Sequence, residues 1–485
     1  MDVLKDTLEW FANNIFNEVG ILLGLIVLVG FWLQKKPVEE IVAGGLRAAI
    51  GIYALFAGIA LFIGGLLAFQ TIVASAFGLE PPTSEVSLDD FLADQGGTIA
   101  MVITVGFLLH VLIVRVFRLT YVYLTGHLMF WMSVVVTASL VAAWGELSQL
   151  TLVLVGSVIL AAYWTLQPMY MASKTKKVIG SDDWGYAHTS SSVCWLAATA
   201  APAVGDPSKD DSEKVHLPQR LSFFKDVNVS TALVIAVIML VAMVFADAAV
   251  RSEQAAAYDP DVNPWIWAMI QSLRFAAGIA ILLFGVRMFL AEIVPAFKGI
   301  SDRLIPGARP ALDAPTVFPY APTAVMLGFL GSTAVFLILM AVFAAIDWIV
   351  IVPPMIMLFF PGGAAGVFGN RYGGWKGAVL GGAINGLFLA VGQAVTWTLL
   401  TDTGPQLATL ADPDWYIMTW SILFVQSPMA FGTFEEAFVT VFGWMMVAGI
   451  LMGGGHALRR RNGRLDPSDQ EEQPRTARPE PVPGA

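Results

Sequence analysis

The sequence predicts an all-α, polytopic membrane protein, and three observations carry that prediction. About eleven apolar stretches approach or exceed the roughly 20 residues that a helix needs to cross bilayer hydrocarbon. Apolar residues make up 57% of the 485 positions and charged residues only 13%, with a mean hydropathy of +0.71. Lys and Arg, finally, collect in alternate loops. A soluble core of this length would not need such unbroken apolar runs.

Residues 1–18 are amphipathic and acidic and lack the basic start and small-residue cleavage site of a signal peptide, so they read as an interfacial helix. The apolar stretches follow at 19–33, 41–69, 98–114, 123–143, 150–170, 229–250, 265–289, 324–345, 349–367, 378–400 and 438–457. With the N-terminus outside, the inner loops hold Lys35, Lys36, Arg115, Arg118, Lys174, Lys176, Lys177, Arg303, Arg309, Arg371 and Lys376. The basic residues from Arg459 onward join them, whereas the opposite loops hold only Lys5 and Arg251. Cationic loops stay on the cytoplasmic side, so the split predicts N-out, C-in topology and an odd number of spans. The net charge of −10 decides little, because acidic residues contribute weakly to orientation. The tail 459–485 is charged and Pro-rich and reads as disordered.

Three places break the alternation of span and short loop: 78–97, 181–204 and 299–322. The last two start polar and become semi-apolar without completing a span, which predicts re-entrant hairpins. Irregular backbone at membrane depth is tolerated only where protein buries it or a wet cavity meets it. Five spans (19–204) precede a cytoplasmic linker at 205–228, and five (229–400) follow it. An odd unit repeated once must insert upside down, so two inverted five-helix repeats are expected. An outer loop and a lone final helix complete the chain at 401–458.

Ionisable side chains at membrane depth are rare because they are costly there, so function is their default reading. His127 lies in the fourth span, His188 in the second interruption and Asp313 in the third. Two imidazoles and a carboxylate beside the hydroxyls of Thr189, Ser190 and Ser191 suit a polyhydroxylated ligand. Trp131, four residues after His127, shares its helical face and could stack on a sugar ring. The bland alternatives are buried imidazoles bonded to carbonyls, and for Asp313 a helix cap or a partner for Arg309. His110 reads as packing, and Glu292 as a partner for Arg287 or Lys298. No G-x-x-x-x-G-K-[ST] loop occurs, so the chain is not itself the ATPase of a pump. Cys194 is alone, which excludes a disulfide framework and a multi-cysteine metal site. No cofactor, metal, catalytic residue or nucleic-acid partner is expected. Asp89–Asp90 and Asp182–Asp183 fall on opposite sides of the membrane, which argues against a metal–diphosphate enzyme.

The stretch 285–322, GVRMFLAEIVPAFKGISDRLIPGARPALDAPTVFPYAP, resembles the membrane subunit (component IIC) of the ascorbate phosphotransferase system. LTGHLMF at 124–130 and GGW at 373–375 add to the resemblance, which covers nearly the whole chain in order and spacing. It implies a bacterial cell-membrane permease for ascorbate or a related sugar acid, working by alternating access. Eleven spans in inverted repeats, a homodimer, and a core domain moving past a dimerising scaffold are also implied. So are separate IIA and IIB partners, IIB carrying the phosphate on a cysteine. Component IIC has no phosphorylated residue of its own, so whether the chain counts as an enzyme stays open. Cys194, in an apolar half-span, does not fit that role. Position by position, the resemblance places His127, His188 and Asp313 among the sugar-binding residues. Where the family shows Gln, this chain has Phe56, Trp131 and Thr189, and a Thr-Tyr pair falls near Val86 and Ser87. Phe56, Ser87, Trp131 and Thr189 are therefore expected to line the sugar. The alternative is an ion-coupled secondary transporter of a small polyhydroxylated solute, using His188 or Asp313 for protons.

Overall fold

Where no water can satisfy backbone N–H and C=O groups, an apolar chain folds as helix. The computed structural model of this chain follows that rule, and the expected spans lie on helices over most of their lengths. The structure describes residues 18–78, 84, 86–145, 147–214 and 227–463. The interfacial helix expected before residue 18, the linker over 215–226 and the tail from 464 lie outside the described residues. In the first half come α1 (Val19–Leu33), α2 (Val38–Ala76), α3 (Leu88–Phe117), β1 (Tyr121–Tyr123), α4 (Gly126–Trp144) and α5 (Gln149–Ile179). They are followed by β2 (Gly185–Tyr186), α6 (Ser191–Ala200) and α7 (Pro207–Asp210). The second half holds α8 (Val227–Phe245), α9 (Ala248–Tyr258), α10 (Pro264–Arg303), β3 (Arg309–Leu312), α11 (Pro322–Ala345) and α12 (Met355–Leu399). Helices α13 (Gln406–Thr409), α14 (Pro413–Gln426) and α15 (Phe434–Gly463) end the chain. Among the described residues, α2, α3, α4, α5, α10, α11 and α12 are long and apolar enough to cross a bilayer. The protein is an all-α, multi-pass membrane protein.

Helix α12 is a hairpin rather than one rod. Gly373 and Gly374 leave helical geometry, and Gly374 has φ +64°, a conformation that side-chain-bearing residues rarely adopt. The two arms return antiparallel, 355–372 against 375–399, so close that a Cβ on Gly369 would lie 2.0 Å from the Gly377 carbonyl oxygen. The expected spans at 349–367 and 378–400 are these arms.

Small residues also bring α2 and α10 together, as expected where helix association depends on close backbone packing. Gly51 lies against Gly285 and Gly58 against Gly278, an antiparallel register. Glu292 on α10 pairs with Arg47 on α2 at 2.5 Å rather than with Arg287 or Lys298. Sequence proximity suggested the latter two, but the α2–α10 register decides the partner.

Two of the interruptions, with the junction before the fourth span, form a small sheet that hydropathy does not reveal. Its order is β1-β3-β2, with both pairings parallel: Tyr121–Tyr123 beside Arg309–Ala311, and Gly185–Tyr186 beside Ala311–Leu312. Segment 181–204 thus contains a strand, a turn and helix α6, and segment 299–322 the end of α10, a strand and a 3-10 helix (Ala314–Tyr320). The region expected as outer loop contains α13 and α14. Helix α14 is 14 residues long, below spanning length, and its start is diluted by Asp412, Pro413 and Asp414.

The chain divides into two compact units, Met1–Leu423 and Phe424–Ala485. Within the second, Trp444 packs edge-on against Phe424 and donates to the Pro428 carbonyl at 2.9 Å. Glu436 accepts from the backbone N–H groups of Gly432 and Thr433 at the start of α15.

Candidate functional site

Parallel strands deliver their continuations to one end of a sheet. Here β1 leads through Leu124–Gly126 to His127, β2 through Ala187 to His188, and β3 directly to Asp313. Hydrogen bonds extend past the strands: Leu124 N donates to Ala311 O at 3.1 Å and Ala187 N to Leu312 O at 2.7 Å. Thr125 Oγ1 donates to Ala187 O at 2.6 Å. The outer edges of the sheet are satisfied by side chains, as burial demands. His110 of α3 accepts from Tyr123 N at 3.0 Å, and Gln167 of α5 donates to Tyr186 O at 3.2 Å. His110 therefore fixes the end of β1 instead of facing a ligand.

His127 Nε2 lies 3.6 Å from Asp313 Oδ2, and His188 Nε2 lies 3.7 Å from Asp313 Oδ1. Both separations exceed ordinary hydrogen-bond length, so the three groups lie close together without hydrogen-bonding to one another. His188 Nδ1 accepts from Ser190 N at 3.1 Å, which leaves the ring proton on Nε2, facing Asp313. Asp313 Oδ1 also caps the 3-10 helix by accepting from Ala314 N at 2.7 Å. Side-chain exposure falls from 43% at His127 through 25% at Asp313 to 6% at His188. The cluster therefore opens on the His127 side.

Two carboxylates that the sequence placed in an outer loop complete the cluster from behind. Asp412 is 7% exposed, accepts from the Thr189 hydroxyl and lies 3.8 Å from His188 Nδ1. Asp414 is also buried: Oδ2 accepts from Ser191 Oγ at 2.6 Å and Tyr163 OH at 2.7 Å. Its Oδ1 accepts from Ser192 N at 3.1 Å and from the Ser192 hydroxyl. Asp414 N donates to Thr189 O at 2.9 Å. The N-termini of α6 and α14 thus meet, and a carboxylate at a helix N-terminus is favoured by the unsatisfied N–H groups there. The available signal was local: two Asp around one Pro, immediately before an apolar, aromatic helix.

Of the other expected residues, Thr189 joins the cluster through Asp412. Trp131 stacks on Trp415 at 6.0 Å and 27° between planes, so a protein ring covers part of its surface. Ser87 caps α3, accepting from Asp90 N at 3.0 Å, while Gln406 donates to the neighbouring Val86 O at 3.1 Å. Phe56 is half-buried on α2. Among the described residues, Ser87 and Phe56 make no hydrogen bond or ring contact with the His127–His188–Asp313 group. Cys194 is buried on α6, with Tyr186 and Ser190 as hydrogen-bonding neighbours at 3.6 and 3.8 Å.

A family model described as the PTS system sugar-specific permease component (EIIC-GAT) matches residues 14–414 and so includes every cluster residue. The chain is similar to the ascorbate-specific PTS system EIIC component of Mycoplasma pneumoniae, at 26% identity. That match covers 76% of this chain and 63% of the relative, so the chain spans less than two thirds of that protein's length.

Proposed function

This chain belongs to the sugar-specific permease components of the phosphotransferase system, and from that membership we propose that it carries a small sugar or sugar acid, ascorbate or a close relative, by alternating access. The observation that supports this most is the convergence of His127, His188 and Asp313, whose imidazole nitrogens lie 3.6 and 3.7 Å from the two carboxylate oxygens. His127, His188, Thr189 and Asp313 would bind the sugar, with Trp131, Ser87 and Phe56 lining its path. The ascorbate specificity in the name of the Mycoplasma relative agrees with this reading. Phosphorylation of the substrate falls to a separate IIB protein, with IIA as a further partner, and the chain lies in a bacterial cell membrane with its N-terminus outside and its C-terminus cytoplasmic.

Uptake into vesicles should require phosphoenolpyruvate together with IIA and IIB, and accumulation of ascorbate without them would overturn the phosphotransferase reading. One observation favours the ion-coupled alternative: His188 has carboxylates on both sides, 3.7 and 3.8 Å away. Uptake driven by a pH gradient alone would establish that alternative.

The antiparallel pairing of α2 with α10 supports an inverted repeat, because the second and seventh spans are equivalents in that scheme. A homodimer is expected through the first, second, sixth and seventh spans. Only monomer by cross-linking or native mass spectrometry in mild detergent would refute it.

Trp131→Gln should shift preference toward ascorbate, since an amide restores a donor and an acceptor where the indole offers one donor. Stacking on Trp415 limits the gain, because aromatic pairs contribute about 0.5–1.5 kcal/mol beyond area burial. Unchanged or weaker ascorbate affinity in the variant would remove Trp131 from the specificity set.

A further inference from the structure

We propose that the end of α5 and the tip of the α12 hairpin form a binding site for the headgroup of an anionic phospholipid. Lys174 and Lys177 both place their ammonium groups over Tyr372, 4.5 and 3.8 Å from the ring centroid. Lys174 also lies 5.9 Å from the ring of Trp195. Arg371, next to Tyr372, is held there by its Nε, which donates to Lys177 O at 2.5 Å. None of these three cations forms an ion pair among the described residues. Their neighbours differ: Lys176 pairs with Asp182 at 3.5 Å and Lys376 with Asp210 at 3.3 Å. Two ammonium groups sharing one ring repel each other, and an anion between them relieves that repulsion. A phosphodiester fits, because it accepts from both ammonium groups and from the guanidinium N–H groups beyond Nε.

The surface beside the cations selects a lipid as the source of the phosphate. Leu166, Tyr170, Lys174 and Lys177 are spaced by four, four and three residues, so they share one face of α5. Leu166 is 60% exposed and Tyr170 42% exposed. The face therefore passes from apolar through aromatic to cationic, the order of groups found at a membrane–water border. The indoles of Trp195, beside Lys174, and of Trp375, three residues after Tyr372, are exposed as well. A headgroup at Lys174 and Lys177 would lay its acyl chain along Leu166. A phosphorylated protein would use the cations and leave that apolar face idle.

The test uses the purified full chain in mild detergent, with retained lipid measured by native mass spectrometry. Phosphatidylglycerol should bind at least about tenfold more tightly than phosphatidylcholine, and the preference should shrink as salt rises from about 50 mM to about 0.5 M. The combined variant Lys174→Gln, Lys177→Gln, Arg371→Gln should bring the ratio to within about twofold, whereas Lys209→Gln with Lys214→Gln should not change it. Equal binding of the two lipids by the unaltered protein overturns the proposal, as does a full preference in a well-folded triple variant. If the triple variant does not fold, the salt dependence of the unaltered protein decides. Complete displacement of phosphatidylglycerol by about 10 mM inorganic phosphate would assign the site to a soluble phosphate group instead.

Discussion

Asp313→Asn should weaken binding of the sugar by at least about tenfold, or about 1.4 kcal/mol, in a protein that still folds. The two carboxylate oxygens face different imidazoles, Oδ2 toward His127 and Oδ1 toward His188. A ligand hydroxyl approaching either pair would donate to the carboxylate, and such charge-assisted bonds are roughly twice as strong as neutral ones. Asparagine replaces one of these acceptors with an NH2 group, which can only donate. It keeps one oxygen for the cap on Ala314 N, a role in which Asn and Asp are nearly equivalent. The local fold should therefore survive while recognition is lost. Isothermal titration of ascorbate and related sugar acids against both proteins measures the effect. An unchanged affinity in a variant with the same thermal midpoint would reduce Asp313 to the capping role.

Asp414→Ala should be the most destabilising substitution at the site, costing roughly 1–3 kcal/mol for each buried group left unpaired. The carboxylate takes hydrogen bonds from Tyr163, Ser191 and Ser192, which belong to α5 and the first turn of α6. Its removal takes the acceptor from one buried and several half-buried donors, and those that find no other partner bear a desolvation penalty. Asp414→Asn should fall between alanine and the unaltered protein, because Tyr163 and Ser191 hydroxyls can accept from an amide while Ser192 N keeps an oxygen. Thermal unfolding of detergent-purified protein should rank the three in that order. A midpoint for Asp414→Ala within experimental scatter of the unaltered protein would show that Asp414 does not hold the two helix starts together.

The reach of the sequence is seen best at particular residues. His127, His188 and Asp313 were found because an ionisable group at membrane depth is conspicuous against apolar neighbours. Asp412 and Asp414 were not, because in an acidic loop they resemble Asp402, which is exposed, while they themselves are buried. Nothing within a few residues separates a solvated carboxylate from one that accepts hydrogen bonds from Thr189 or Ser191, more than 200 positions earlier. The same distance hid the pairing of Glu292 with Arg47. Trp131 lies between these cases, since its helical face follows from spacing, whereas its stacking on Trp415 requires α14 to fold back.

The sequence by itself determined that the chain is helical and multi-pass. Apolar length and the cost of unpaired backbone groups in hydrocarbon leave no other solution, and both are local properties. It also determined the turn at Gly373–Gly374 to the extent that glycine alone tolerates its geometry. Only the tertiary structure decided that two of the interruptions and the junction before the fourth span would supply three parallel strands, aligned so that His127, His188 and Asp313 leave from one end. Strands of two to four residues have no hydropathy period to read, and they are stable only by hydrogen-bonding to one another across nearly 190 positions of chain. Local composition therefore fixes the spans, and long-range hydrogen bonding fixes the site between them.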